Sequence, residues 1–238
     1  PHSGFERVTA GRTCLLMDVG VPPAPGLDDH AHAGTLSFEM SIGRERLVVN
    51  CGAHPGDQGV WRQALAATAA HSTLAVDDTN SSGVIEEGGL SRRPSKVQCL
   101  RQDGEEGTLV DAHHDGYFDR GGIIHHRRLF LAESGEDLRG QDKLTGTPGH
   151  EFAVRFHLHP GVRVATLEDE AALLLRLPSG ALWKFRASGA FIETADSIYL
   201  GQGADPRTTT QIVLRGTTQL GETLVKWGLR REGSDIDT

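Results

Sequence analysis

Histidines and one asparagine are the side chains in this chain whose spacing could support chemistry. His30 and His32 form a His-x-His pair in DDHAHAG, and Asn50 and His71 follow along the chain. If the pair lies on a strand, both imidazoles share one face and can give two ligands to a metal, or one ligand and one proton-transfer group. His32, Asn50 and His71 would then offer a zinc ion nitrogen, amide oxygen and nitrogen, although an amide binds divalent cations more weakly than a carboxylate. The alternative is two exposed loop histidines.

A second polar cluster lies in the segment AHHDGY. His114 and Tyr117 are its candidate substrate-binding residues, because they could line a cleft. The alternative is a hairpin turn that happens to carry polar side chains.

Two further histidine pairs lie in strand-like segments. In IIHHRRLFLA successive side chains alternate between faces, so at most half of them can serve one site. In RFHLHP, Phe156 and Leu158 predict the core face, which leaves His157 and His159 on a solvated face.

The charge balance argues against a nucleic-acid-binding chain. There are 24 Lys and Arg against 32 Asp and Glu, a formal net charge of -8. A polyanionic partner would therefore need a local basic patch. Two short runs qualify, Arg92-Arg93 with Lys96 and Arg127-Arg128, although such runs are usually solvated faces.

Cysteine spacing and hydropathy exclude other classes of site. Cys14, Cys51 and Cys99 form no CxxC pair, so a thiolate zinc site is not expected, and one disulfide stays open. No segment is long and apolar enough for a membrane span. The start PHSGFERV carries no Met and no signal-peptide core, so the chain is expected to be part of a longer protein.

Short apolar or alternating runs separated by Gly, Asp, Ser and Pro predict antiparallel strands through most of the chain. One helix is expected over Val60–Ala70, leading directly into His71. So many strands must pair two sheets or close into a barrel. We expect an all-β, two-layer antiparallel β-sandwich with one short helix, forming a single domain over residues 1–238.

Four motifs occur in an order and spacing that resemble the heparinase II/III-like family. They are HAHAGTLSFEMS, RLVVNCG, AHSTLAVDD and HHDGY. The likeness spans nearly the whole chain, from GFERVTAGRTCLLMDVGVPP to the strand around Trp227. It implies a C-terminal β-sandwich that follows an N-terminal α/α toroid, with the active site between the two domains.

The resemblance also implies roles for individual residues. His30 would be catalytic, neutralising or protonating near the scissile unit, while His32 and His71 would bind zinc. Asn50 stands where the family has an Asp ligand, and Gly34 stands two positions after His32, where an Asp is usual. The partner would be an acidic, uronate-containing polysaccharide cleaved by β-elimination. The proton-transferring tyrosine would belong to the toroid, so this domain alone would be incomplete, and the parent protein would be periplasmic or secreted.

Two other functions fit the same residues. A non-catalytic carbohydrate-binding or scaffold sandwich would explain Asn50 as the mark of a degenerate metal site. A metal-dependent barrel enzyme of the cupin kind would use His30, His32 and a later histidine, but the Glu ligand expected at short spacing is missing.

Overall fold

Antiparallel strands make up almost all of the regular structure in the computed structural model, which describes residues 3–54, 60–167, 172–201 and 205–233. The strands, numbered along the chain, are β1 (Phe5–Ala10), β2 (Thr13–Asp18), β3 (Phe38–Ile42), β4 (Glu45–Val49), β5 (Leu74–Val76), β6 (Val97–Gly104), β7 (Gly107–Tyr117), β8 (Ile123–Ala132), β9 (Asp137–Thr145), β10 (Glu151–Leu158), β11 (Arg163–Leu167), β12 (Ala172–Arg176), β13 (Leu182–Ser188), β14 (Phe191–Tyr199), β15 (Arg207–Thr217) and β16 (Glu222–Arg231).

These strands form two eight-stranded sheets. The first sheet has the order β1-β2-β3-β4-β10-β15-β14, and β5 also pairs with β10. The second sheet has the order β11-β12-β13-β16-β9-β8-β7-β6. Every strand pairing in both sheets is antiparallel. The all-β sandwich predicted from the sequence is confirmed.

An aromatic cluster joins the two sheets at the centre of the core. The Trp227 ring stacks on Phe38 with centroids 5.5 Å apart, and Phe156 meets it edge-on at 4.7 Å. Gly140 lies opposite Trp227, and a Cβ there would come within 2.1 Å of the indole ring. Burying each of these rings contributes about 1.5–3 kcal/mol to folding.

A charged network lies beside this aromatic cluster, fully buried. Asp142 accepts hydrogen bonds from Arg127 Nε (2.7 Å), His125 Nε2 (2.7 Å) and Trp227 Nε1 (2.8 Å). Burial alone would raise the pKa of Asp142, but the Arg127 charge and the His125 hydrogen bond hold it well below its usual range. The network therefore keeps an ion pair in the sandwich interior.

Arg127 also connects the second sheet to the ends of the first. Its Nη1 donates to the carbonyl oxygens of Leu36 (2.9 Å) and Ser72 (2.8 Å), just before β3 and β5. These two carbonyl groups lie outside the strand ladders, and the Ser72 carbonyl also accepts a long hydrogen bond from the Phe38 N–H (3.4 Å). Arg127 thus fixes the two segments that lead into the histidine region.

The predicted helix is present but shorter than expected. Helix α1 spans Val60–Ala66, and a 3-10 turn follows over Thr68–Ala70. The break is at Ala67, whose backbone is extended (φ −67°, ψ 150°). This break turns the Ala67 carbonyl toward the following histidine.

His157 corrects the expectation of a solvated histidine face in RFHLHP. Phe156 and Leu158 face the core as predicted, yet His157 is only 2% exposed. Its Nε2 donates to the Ala69 carbonyl (3.0 Å), and its Nδ1 accepts from the Ser197 hydroxyl (2.7 Å). The 3-10 turn covers this face of β10 and excludes water from it.

The cysteines and the hydropathy add two findings. Cys14, Cys51 and Cys99 are all free thiols. Over the described ranges, no helix has the length and apolar character needed to cross a membrane.

Candidate functional site

The predicted histidines meet in a pocket at one end of the first sheet. It encloses about 490 Å³ and is built from five segments: the start of β1, the end of β2 with the loop after it, the segment before β3, the residues just after β4, and the residue that follows the 3-10 turn. Its polar lining residues are Ser3, Asp18, His30, His32, Thr35, Ser37, Asn50 and His71. Side chains 41 positions apart in sequence, from His30 to His71, are thus brought to one cavity.

His32 and His71 form the closest pair in this pocket. The Nδ1 of His32 lies 3.1 Å from the Nε2 of His71. A carbonyl oxygen can only accept, so the Nδ1–H of His71 donates to Ala67 (2.8 Å) and its Nε2 keeps a free electron pair. His32 Nδ1–H therefore donates to that electron pair.

Burial keeps both imidazoles neutral. It lowers the pKa of His71 to about 3, with the neighbouring His32 as a further cause. It also lowers the pKa of His32, assisted by the charge of Arg62 and by His30. Neutral imidazoles with converging nitrogens are suited to bind a cation or a hydrogen-bonding ligand.

Gly34 allows this arrangement. A Cβ at position 34 would lie 2.7 Å from Cδ2 of His71, which is closer than side chains tolerate. The absence of an Asp two positions after His32 therefore has a local steric reason.

Asn50 binds the backbone next to His71. Its Oδ1 accepts from the backbone N–H of Ser72 (2.8 Å), and its own backbone N–H donates to Glu39 (3.1 Å). One electron pair of Oδ1 is thus used within the protein, and the other is left for a ligand.

His30 lies at the exposed mouth of the pocket, in a turn and not on a strand as the His-x-His spacing had suggested. The turn is anchored by the buried Asp28, whose carboxylate accepts from the backbone N–H of Leu90 (2.8 Å) and Gly26 (3.0 Å) and pairs with Arg93. Arg93, expected to belong to a basic patch, therefore serves as a structural partner. The two histidines reach one pocket through loop geometry.

The arginines of both predicted basic runs largely serve the fold. Arg92 donates to the backbone carbonyls of Asn80, Ser81 and Gly116. Arg127 is fully buried. Of these four arginines, Arg128 is the one most exposed to solvent.

Asp18 is a pocket residue that the sequence motifs did not indicate. It ends β2, and its Oδ1 accepts one hydrogen bond, from Gly20 N–H at 3.2 Å. Burial raises its pKa to about 6, because desolvation disfavours the charged form by more than the Gly20 N–H stabilises it. The available signal was an acidic residue at the end of the apolar run TCLLMD, which is a weak one.

His114 and Tyr117 lie away from the pocket. Both are 0% exposed in the sandwich interior. His114 accepts from Gly116 N–H at Nδ1 (3.0 Å) and donates through Nε2 to His125 (3.2 Å), while Tyr117 donates to the Leu74 carbonyl (2.9 Å). Their polar atoms are thus used inside the fold, and the structure does not bring them to His30.

Zinc fits two of its three predicted ligands. The Ala67 carbonyl fixes the ring of His71, as backbone acceptors commonly do for ligating histidines. The Nδ1 of His32 and the Nε2 of His71 could both bind zinc only after the hydrogen bond between them breaks and the His32 proton moves to Nε2. Asn50 offers a neutral oxygen that already accepts one hydrogen bond. No cluster of three or more His, Cys, Asp or Glu side chains in the described residues is arranged to hold a metal ion.

The sequence pattern of the heparinase II/III-like family, C-terminal part, matches residues 1–228. The chain belongs to this family. The resemblance stated from the motifs is confirmed, and the pocket motifs HAHAG and AHSTLAVDD lie within the matched region.

Solved structures of this family share the fold. A mutant of the heparan sulfate lyase HepC from Pedobacter heparinus superposes with a TM-score of 0.78 at 15% identity, covering 96% of this chain and 35% of that one. A heparinase III gives a TM-score of 0.76, also at 15% identity and with the same coverage. At this identity the likeness concerns the fold.

A more similar relative carries a different name. FtsZ-localized protein C of Caulobacter vibrioides is 33% identical over 234 residues, covering 90% of this chain and 40% of that protein. The chain thus spans well under half the length of the relatives that it matches.

Proposed function

We propose that this chain is the sandwich half of a polysaccharide lyase that cleaves acidic, uronate-containing polysaccharide by β-elimination, completed by an N-terminal α/α toroid. The observation that carries the proposal is the pocket in which neutral His32 and His71 converge beneath His30. Membership of the heparinase II/III-like family supports the reaction class.

The pocket would supply part of what β-elimination requires. A base takes the proton alpha to the uronate carboxylate, the electron pair forms the new double bond, and the glycosidic oxygen leaves with a proton. His30 at the mouth would donate a hydrogen bond to the sugar carboxylate and stabilise the charge that develops on it. Proton transfer is assigned to a tyrosine of the toroid.

Zinc is part of this proposal. His32, Asn50 and His71 would hold it, and it would add a positive charge beside the sugar carboxylate. The test is thermal unfolding of the 238-residue chain with and without equimolar zinc, together with metal analysis after dialysis. A rise in Tm that is lost in His32→Ala and kept in His113→Ala supports the ligands; no retained zinc and equal Tm values would remove zinc from the proposal.

The activity test uses the full-length parent protein. Its action on uronate polymers is followed by the ultraviolet absorbance of the unsaturated product, and His30→Ala should lower kcat by about a hundredfold or more. His159→Ala, at a histidine just after β10 and outside the pocket, is the matched control. If the parent protein gives no absorbance increase with any uronate polymer, the lyase proposal is wrong.

A second candidate function is a non-catalytic sandwich in a protein that localises with FtsZ. It is favoured by the 33% identical relative and by the neutral Asn50 in place of a carboxylate. The discriminating experiment compares the localisation of tagged parent protein and of a His30→Ala, His32→Ala variant relative to FtsZ. Localisation with FtsZ by both, without lyase activity, supports this candidate.

The two candidates also differ in their predicted compartment. The lyase proposal assigns the parent protein to the periplasm or the exterior, where polysaccharide is available. Cell fractionation of the full-length protein tests that assignment.

A further inference from the structure

The outer face of the second sheet is rich in Lys and Arg side chains. Three adjoining depressions on it share Arg128 and Gln141 on one side and Arg186 and Gly228 on the other. Together they are lined by eight Lys or Arg side chains and three carboxylates, in a chain whose formal net charge is -8. Basic side chains are therefore concentrated on one face of an acidic molecule.

Cross-strand register arranges these cations in rows. Arg186 on β13, Gly228 on β16 and Arg139 on β9 are direct neighbours. Lys226, Gln141 and Arg128 form the next row, on β16, β9 and β8. Because neighbouring strands lie about 4.8 Å apart, cations two strands apart are separated by about 10 Å, close to the length of a disaccharide.

The central depression is a groove of about 510 Å³. Gly228 leaves a gap between Arg186 and Arg139, and Phe130 and Leu109 continue the floor across β8 and β7. Lys226 has no ion-pair partner within the described ranges. Five other cations of this face pair with carboxylates: Arg128 with Asp111, Arg139 with Asp137, Lys143 with Glu222, Lys184 with Glu232 and Arg231 with Glu136.

We propose that this outer face, which we call the basic groove, binds acidic polysaccharide as a second surface apart from the histidine pocket. The cations bind the carboxylate or sulfate groups, and the apolar floor packs against the faces of the sugar rings. The inference goes beyond the proposed function, since it requires neither zinc nor catalysis.

The position of the groove favours a carbohydrate over an acidic peptide. An extended peptide binds a sheet by adding a strand at an edge, where backbone groups are free. The groove crosses β13, β16, β9 and β8, and each of these strands is paired on both sides. Recognition must therefore use side chains, which suits sugar carboxylates and hydroxyl groups.

The test is binding of the 238-residue chain to polygalacturonate at low and moderate salt, measured by calorimetry. The double variant Arg139→Glu with Lys226→Glu should weaken binding about tenfold or more. The control Arg44→Glu with Arg207→Glu makes the same charge change at exposed positions in the β3–β4 turn and at the start of β15, and it should have little effect. Gly228→Val fills the groove without changing charge. Its new Cβ meets only the Leu138 carbonyl, at an ordinary 3.4 Å, so the fold should be kept and binding lost.

Three results would overturn the inference: unchanged binding by the Arg139, Lys226 double variant, unchanged binding by Gly228→Val, or equal affinity for neutral dextran or for RNA. His32→Ala separates the two proposals. If it keeps full binding, the polymer contacts a surface other than the pocket, as expected. If it abolishes binding, the basic groove is not the site, and the lyase proposal is unaffected.

Discussion

His71 is positioned by neighbours that carry no chemistry of their own. The Ala67 carbonyl selects its tautomer, and the bare Cα of Gly34 makes room for its ring. A search for reactive side chains finds the histidine but not these two positions, because a carbonyl group and a missing side chain have no residue-type signature. At the residue scale, the pocket depends on them as much as on its histidines.

Gly34→Ala should disrupt the His32–His71 pair. The added methyl group would overlap the His71 ring, and overpacking of this kind costs about 1–3 kcal/mol. Urea denaturation would measure the loss, and altered histidine NMR signals would report the changed ring. Gly104→Ala is the matched control, since its Cβ would meet its nearest atom only at 3.7 Å. Equal losses of stability in the two variants would contradict the conclusion that Gly34 is required to make room for the His71 ring.

Asp18→Asn should stabilise the protein at alkaline pH. The folded pKa of about 6 lies above the ordinary aspartate value of 3.8, so the stability that the protonated acid provides is complete below about pH 4 and lost as pH rises through about 6. The difference between these two pKa values corresponds to a change of about 3 kcal/mol at most in the free energy of unfolding. The variant should exceed the wild type in urea midpoint at about pH 8 and approach it at about pH 4. A constant difference across this range would show that the Asp18 carboxyl does not titrate as proposed.

At the scale of elements, the alternation of apolar and polar residues predicted which strand residues face the core. It did not predict which parts of the chain cover the opposite face of the strand. Phe156 and Leu158 were placed correctly, whereas His157 is buried by a 3-10 turn that arrives from 87 positions earlier in the chain, at Ala70. The basic groove illustrates the same limit. Its cations come from separate strands, so only the pairing register brings them together.

Arg127→Met should destabilise the fold by about 3 kcal/mol or more, because it leaves the buried Asp142 charge without its cation. Arg127→Met, Asp142→Asn should recover part of the loss, since no unpaired charge then remains. Arg128→Met, at the next and exposed position, should change stability by about 0.5 kcal/mol or less. Urea unfolding followed by tryptophan fluorescence measures all three, and a loss in Arg128→Met as large as that in Arg127→Met would refute the role of the buried ion pair.

At the scale of the whole molecule, acid should destabilise the sandwich. Burial lowers the pKa of His71 to about 3 and that of His157 to about 4. Both stay neutral in the folded protein and take up a proton on unfolding. The stability that they contribute is therefore complete above about pH 6.5 and falls as pH drops below it. At about pH 5 each histidine should have lowered the free energy of unfolding by about 2 kcal/mol. Asp18 acts in the opposite direction but is a single group.

Urea midpoints between about pH 7 and pH 5 test this expectation. His157→Gln should flatten the dependence, because it removes one group that takes up a proton on unfolding. A midpoint that does not fall with pH would contradict the neutral, buried state of these histidines.

The sequence predicted the fold class and the family correctly, and it selected His30, His32, Asn50 and His71, which all line one pocket. Apolar alternation and ordered motifs are local signals, so they could be read directly. The burial of His114 and Tyr117 depends on contacts between the two sheets, which no local pattern records. The roles of all six residues stay predictions.

Arg127 couples the sandwich core to the pocket, because its guanidinium bonds the carbonyls that precede β3 and β5. A ligand held by His32 and His71 should consequently slow amide hydrogen exchange well beyond the residues that it touches, into β8 and β9. Occupancy of the pocket could then be detected as protection in the opposite sheet, without any assay of chemistry.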